Sequence, residues 1–202
     1  MELFELGQLA MQAVHLGRPA EALRIADEVI ESQPSSSRVA AVFRIRRARA
    51  IGQTGDRPRA LAEHDRAAAI LTSDASAADP AWTWWVDDAE LAWHRAMTLA
   101  ALHRLAPALD MFQAAHDLRP PSATRARFND LVHLLDAQVA AGAWSDAEAS
   151  LDGIHAGLDD VHSARTTALL RRVIQHVRQA TAVPSSVTDS AHELDRLVGS
   201  PA

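Results

Sequence analysis

The chain has 202 residues, 48% of them apolar, 23% charged, with a formal net charge of −6. A core of useful size is therefore within reach, and this composition argues against a largely disordered chain. The absence of cysteine excludes disulfide frameworks, thiolate nucleophiles and cysteine-ligated zinc or iron–sulfur centres, and the net acidity excludes a general attraction to nucleic acid.

Read in chain order, four segments share one grammar: an apolar-periodic helix, a short turn, an alanine about five residues later, and a second apolar helix that stops near a breaker. In the first, Leu6, Leu9, Ala10 and Ala13 lead to Gly17, then to Ala22, Ala26, Val29 and Pro34. The second runs from Ala48 and Ile51 through Gly55 to Ala60, His64 and Ala67. Residues 72–86, rich in Ala, Asp and Ser, read as an inserted loop. The third segment places Ala92, Ala96 and Leu99 before His103, then Ala108, Phe112, Ala115 and Pro120. The fourth has Leu131, Leu134, Leu135 and Gln138 before Gly142, then Ala147, Leu151 and Ile154. Beyond residue 161, Ser163 is placed to cap a helix running to about Ala180, with Leu169, Val173 and Val177 on one face. Pro184, Ser185 and Ser186 then break the chain, and residues 189–198 are expected to form a short amphipathic helix before a loose end.

Over residues 3–161 these positions resemble the tetratricopeptide (TPR) repeat, with its small residue near position eight, turn glycine, following alanine and closing proline. The resemblance implies an all-α, TPR-like α-solenoid of about four helix pairs with a C-terminal capping helix, each pair burying its apolar stripe on the next. It implies one repeat domain over residues 1–181 and a tail over 182–202. His103 stands where the turn glycine is expected, and the second pair lacks its closing proline. The run Trp82-Thr83-Trp84-Trp85-Val86-Asp87-Asp88-Ala89-Glu90-Leu91-Ala92-Trp93-His94, with Arg119-Pro120-Pro121 and Arg127-Phe128-Asn129-Asp130-Leu131, is similar to the C-terminal repeat region of actinobacterial helix-turn-helix regulators. The repeats occupy the first residues of this chain, so direct nucleic-acid binding is not carried over to it.

In TPR arrays the first helix of each pair lines a concave groove. That mapping places Phe4, Gln8, Met11 and His15 beside Arg46, Arg49 and Gln53, with Glu90, Trp93, His94 and Met97 from the third pair and Asn129, His133 and Asp136 from the fourth. The expected ligand-binding set is thus Arg46, Arg49, Glu90, Trp93, His94, Met97, Asn129, His133 and Asp136. Its arginines suit a carboxylate or phosphate and its tryptophan an apolar contact, so an extended peptide or a small acidic metabolite fits. The competing reading fills the groove with the chain's own C-terminal segment and pairs Arg46 and Arg49 with Glu90 or Asp136. The arginines crowded between Arg38 and Arg66 read either as an anion-binding surface or as a salt-bridged helix face. Asp87, Glu90 and His94 share a helix face, with His133 as a possible fourth metal ligand, but the spacing matches no zinc-protease pattern, and no metal or cofactor is expected. Asp87-Asp88-Ala89-Glu90 is one residue short of the first carboxylate motif of class I terpene cyclases. No nucleophile elbow, Gly-rich phosphate loop or Walker lysine is present. The expected function is a non-catalytic binding module for a protein or peptide, in the regulatory part of a transcriptional or signalling system, with a metabolite sensor as the alternative. The apolar residues form no run that spans a bilayer, and Glu2 and Glu5 replace a basic leader, so a cytoplasmic protein is expected.

Overall fold

The computed structural model of the protein describes residues 2–71, 77–158 and 163–199. Ten α-helices run through them, with no strand among the described residues: α1 Glu2–His15, α2 Pro19–Glu31, α3 Ser37–Gln53, α4 Arg57–Leu71, α5 Asp88–Ala101, α6 Leu105–Leu118, α7 Thr124–Ala141, α8 Trp144–Gly157, α9 Ala164–Gln179 and α10 Ser185–Gly199. A single 3-10 turn, Ala81–Thr83, precedes α5. No described helix is long and apolar enough to cross a membrane.

Local chemistry sets the starts and stops. Ser36, Asp87 and Ser163 each accept a backbone N–H from the first turn of α3, α5 and α9. After α1, α3, α5 and α7 the chain turns through a left-handed residue, Gly17 (φ 65°), Gly55 (φ 85°), His103 (φ 55°) and Gly142 (φ 68°). The turn geometry therefore persists at His103, a residue type that tolerates this region better than most. Ala182 (φ 59°) makes the same kind of turn between α9 and α10.

The chain divides into two compact units, Met1–Met111 and Phe112–Ala202, with the boundary inside α6. In the first unit α3 is the centre: it packs on α1, α2, α4 and α5. The alanines of the repeated pattern let these helices approach closely, since Ala10, Ala22, Ala26, Ala48, Ala60 and Ala67 are all fully buried. A close approach lies at Gly52 of α3, where an added Cβ would lie 2.8 Å from Thr98 Cγ2 of α5.

In the second unit α7 packs on α8 and α9, and α10 packs on α8 and α9. One apolar core joins all four: Val132, Leu135 and Val139 meet Leu151 and Ile154, Leu170 and Val173, and Val187 and Leu194. The short helix expected over residues 189–198 is present but longer. Residues 185–199 form a full helix whose Val187, Ala191 and Leu194 are buried, so α9 and α10 make a fifth hairpin where a lone capping helix was expected. Pro184, read as a breaker, precedes the first turn of α10, where its missing N–H costs nothing. The sequence-based boundary at residue 181 falls between α9 and α10, inside the second unit.

Candidate functional site

The start of α3 holds the tryptophan-bearing segment in place. Ser36 Oγ accepts from Val39 N at 3.1 Å and donates to Asp79 at 2.6 Å, while Arg38 reaches Asp79 at 3.6 Å and the Thr83 carbonyl at 3.4 Å. The Thr83 hydroxyl donates to the Pro80 carbonyl at 2.8 Å, closing the 3-10 turn, and Thr83 and Val86 are buried. The aromatic rings are thereby given fixed positions. Trp82 stands edge-on to Phe4 of α1 with centroids 5.6 Å apart, Trp85 lies 5.9 Å from the Arg46 guanidinium, and Trp84 is 79% exposed. Asp87, considered as a metal ligand in the sequence, instead caps α5 by accepting from Glu90 N at 2.8 Å. Of the inserted loop, residues 72–76 lie outside the described residues.

Five of the nine expected binding residues converge in the first unit. Arg46 and Arg49, three residues apart on α3, meet His94 on α5: Arg46 Nη1 lies 3.0 Å from His94 Nε2 and Arg49 Nη1 3.5 Å from Nδ1. Glu90, one turn before His94, brings Oε1 to 3.1 Å from Nε2. Trp93 completes the group, edge-on to the imidazole at 4.8 Å and 5.7 Å from the Arg49 guanidinium. Arg49 also donates to Met11 Sδ at 3.7 Å, and Gln53 ties α3 to the Val14 carbonyl at 2.7 Å. Met97 is half-buried one turn further along α5.

A neutral imidazole has one donor and one acceptor, so His94 serves at most two of its three neighbours at a time. With the proton on Nε2 it donates to Glu90 and accepts from Arg49; with the proton on Nδ1 it accepts from Arg46. Burial pushes the His94 pKa down to about 3, against the pull of the Glu90 hydrogen bond and with Arg46 adding to the fall. Burial also pushes Arg46 down to about 10, opposed by Glu90. At neutral pH the group therefore holds two guanidinium ions against one carboxylate, and His94 is a buried neutral imidazole facing them. A proton-transfer role near neutral pH does not suit it. Arg46 is only 4% exposed, and its Nε is buried without a hydrogen-bond partner.

Most of the arginine-rich stretch is salt-bridged. Glu63, buried on α4, takes Arg44 at 3.1 Å, Arg47 at 3.6 Å and Arg66, while Arg59 pairs with Asp56 at 3.5 Å. This hub was not picked out in the sequence, because a glutamate three residues before Arg66 reads locally as a surface pair.

The other three expected residues belong to the second unit, and α6 and α9 engage them. Asn129 Oδ1 lies 3.3 Å from Thr166 Oγ1, Asp136 meets Arg172 at 3.5 Å and His176 at 3.7 Å, and the His133 ring stacks on Phe112 with centroids 6.1 Å apart. Asp130, the neighbour of Asn129, is buried against Arg119 at 3.0 Å. Arg127 donates to the His116 and Arg119 carbonyls, both at 2.9 Å, and its second amine lies 2.9 Å from His116 Nε2. Burial, then the charge of Arg127, lowers the His116 pKa. Among the described residues no three His, Asp or Glu side chains are placed to hold a metal ion.

No protein family, curated protein or solved structure matches this chain. The reading of its function rests on the geometry above.

Proposed function

We propose that the chain is a non-catalytic, TPR-like solenoid module that binds a protein partner through an extended, acidic peptide segment laid across α1, α3 and α5 of the first unit. The observation that carries this is the pinned aromatic segment. A tryptophan left 79% exposed on a braced turn, next in the chain to Trp85, which itself lies against the Arg46 guanidinium, costs solubility with no gain to the core. Tryptophan and arginine are also the residue types that dominate binding hot spots. The guanidinium groups of Arg46 and Arg49 favour an acidic segment, in a chain whose overall charge of −6 repels one elsewhere. Repeated helix hairpins with a left-handed turn after each first helix support the solenoid reading. A regulatory role in transcription or signalling is the setting that the resemblance to helix-turn-helix regulators implies. The alternative, a sensor of a small acidic metabolite, is favoured by a separate cavity considered next.

The test is selection from a library of displayed random peptides. Enriched sequences should pair an acidic residue with an apolar one and perturb tryptophan fluorescence. Trp84→Ala should weaken their binding by roughly 30-fold, the scale of a hot-spot truncation of about 2 kcal/mol. Its melting temperature should match wild type, because the side chain is exposed. Failure to enrich any peptide, or equal binding by Trp84→Ala, would refute the proposal.

A further inference from the structure

A cavity of about 410 Å³ opens in the first unit between α4, α5 and the start of α6, away from the residues discussed above. Its lining combines apolar Leu61, Leu99, Pro107 and Met111 with charged Arg57, Arg95, Arg104 and Asp110. The volume is at the lower end of the range for small-molecule sites, too small for a folded partner.

The charges around it are unevenly matched. Arg95 pairs with Asp65 at 2.5 Å. Arg57 and Arg104 come from different helix starts, and among the described residues neither has a carboxylate within 4.0 Å, although Asp110 lines the same cavity. Nearly every other arginine of the neighbouring stretch is held by an acid or by His94, so two unpaired guanidinium groups in one partly apolar cavity stand out. Guanidinium groups bind carboxylates with charge-assisted hydrogen bonds, and the apolar side chains offer a place for carbon rather than for a second charge. Asp110 repels a dianion and so selects a single negative charge.

We infer that this cavity is a binding site for a small organic monoanion, a carboxylate on an apolar body, with Arg57 and Arg104 taking the head group and Leu61, Leu99, Pro107 and Met111 the body. It is independent of the peptide-binding face, since it shares none of its residues.

The test is isothermal titration calorimetry of the full chain with octanoate, octan-1-ol and acetate. Octanoate should bind saturably at one site, and each of the other two at least tenfold more weakly, since each offers half of the recognition. Arg57→Gln/Arg104→Gln should weaken octanoate at least tenfold while leaving the melting temperature in buffer unchanged, both side chains being exposed. The inference is overturned if octanoate gives no saturable heat up to about 10 mM, a concentration that would detect even millimolar affinity. Equal binding of octan-1-ol overturns the charge recognition, equal binding of acetate overturns the apolar recognition, and unchanged octanoate affinity in the double variant places the ligand elsewhere. Peptide selection on the same double variant tests the proposed function separately.

Discussion

Gly52 measures how closely α3 and α5 approach. A methyl group added there would sit 2.8 Å from Thr98 Cγ2, about 1 Å inside ordinary contact, with Thr98 Cβ and its carbonyl oxygen at 3.8 Å. Thr98 cannot turn aside freely, because its hydroxyl bonds the His94 carbonyl at 3.0 Å and His64 Nε2 at 2.9 Å. Overpacking of this kind costs about 1–3 kcal/mol, against a helix-propensity gain of about 1 kcal/mol for replacing glycine by alanine. Gly52→Ala should therefore lose about 1 kcal/mol, lowering the melting temperature by roughly 2–4 °C. Thr98→Ser removes only the offending methyl and keeps the hydroxyl. In that background Gly52→Ala should become stabilising by up to about 1 kcal/mol, a coupling of roughly 1–3 kcal/mol. Urea denaturation of the four proteins of the cycle, followed by far-UV circular dichroism, reads the coupling directly. If Gly52→Ala has the same effect with threonine and with serine at position 98, the close approach does not exist and the reasoning fails.

Acid should destabilise the first unit before carboxylates titrate. His64 and His94 both have folded pKa values pushed down to about 3, chiefly by burial. The unfolded chain takes up these protons below about pH 6.5 and the folded chain does not, so stability is full above that pH and falls as pH drops towards 3. Between pH 6.5 and 5 the loss should be about 2–4 kcal/mol, and an unchanged urea midpoint at pH 5 would contradict it. In the second unit, Asp130→Asn removes the buried carboxylate that meets Arg119 at 3.0 Å and should cost about 3 kcal/mol in urea denaturation; a loss below about 0.5 kcal/mol would mean that the pair is solvated. Leu194→Ala should cost about 2–5 kcal/mol, since its side chain is fully buried in the core shared by α7, α8 and α9; a neutral result would show α10 to be undocked.

Turn chemistry and apolar spacing are local properties, and the sequence alone carried them well. The all-helical fold, the positions of Gly17, Gly55 and Gly142, and the buried alanines could be read from the linear pattern because each depends on residues within one or two turns. His103 makes the same left-handed turn without glycine, at the position where the repeat pattern expects it. Ala182 shows the limit of this reading: no glycine marked the last turn, and α10 was read as a short helix over residues 189–198 with no hairpin partner.

Partnership between distant charges was decided by tertiary structure. Spacing on α5 placed Glu90, Trp93 and His94 within reach of one another, and the repeat mapping set Arg46 and Arg49 beside them. Only the packing of α3 on α5 made His94 a buried neutral imidazole facing two guanidinium groups. Likewise nothing in the chain order distinguishes Arg44 and Arg47, which Glu63 neutralises, from Arg57, which it does not reach. Helix periodicity fixes which face a side chain occupies, but the charge opposite it comes from another helix, and the energy of an ion pair depends on that distance and on its burial.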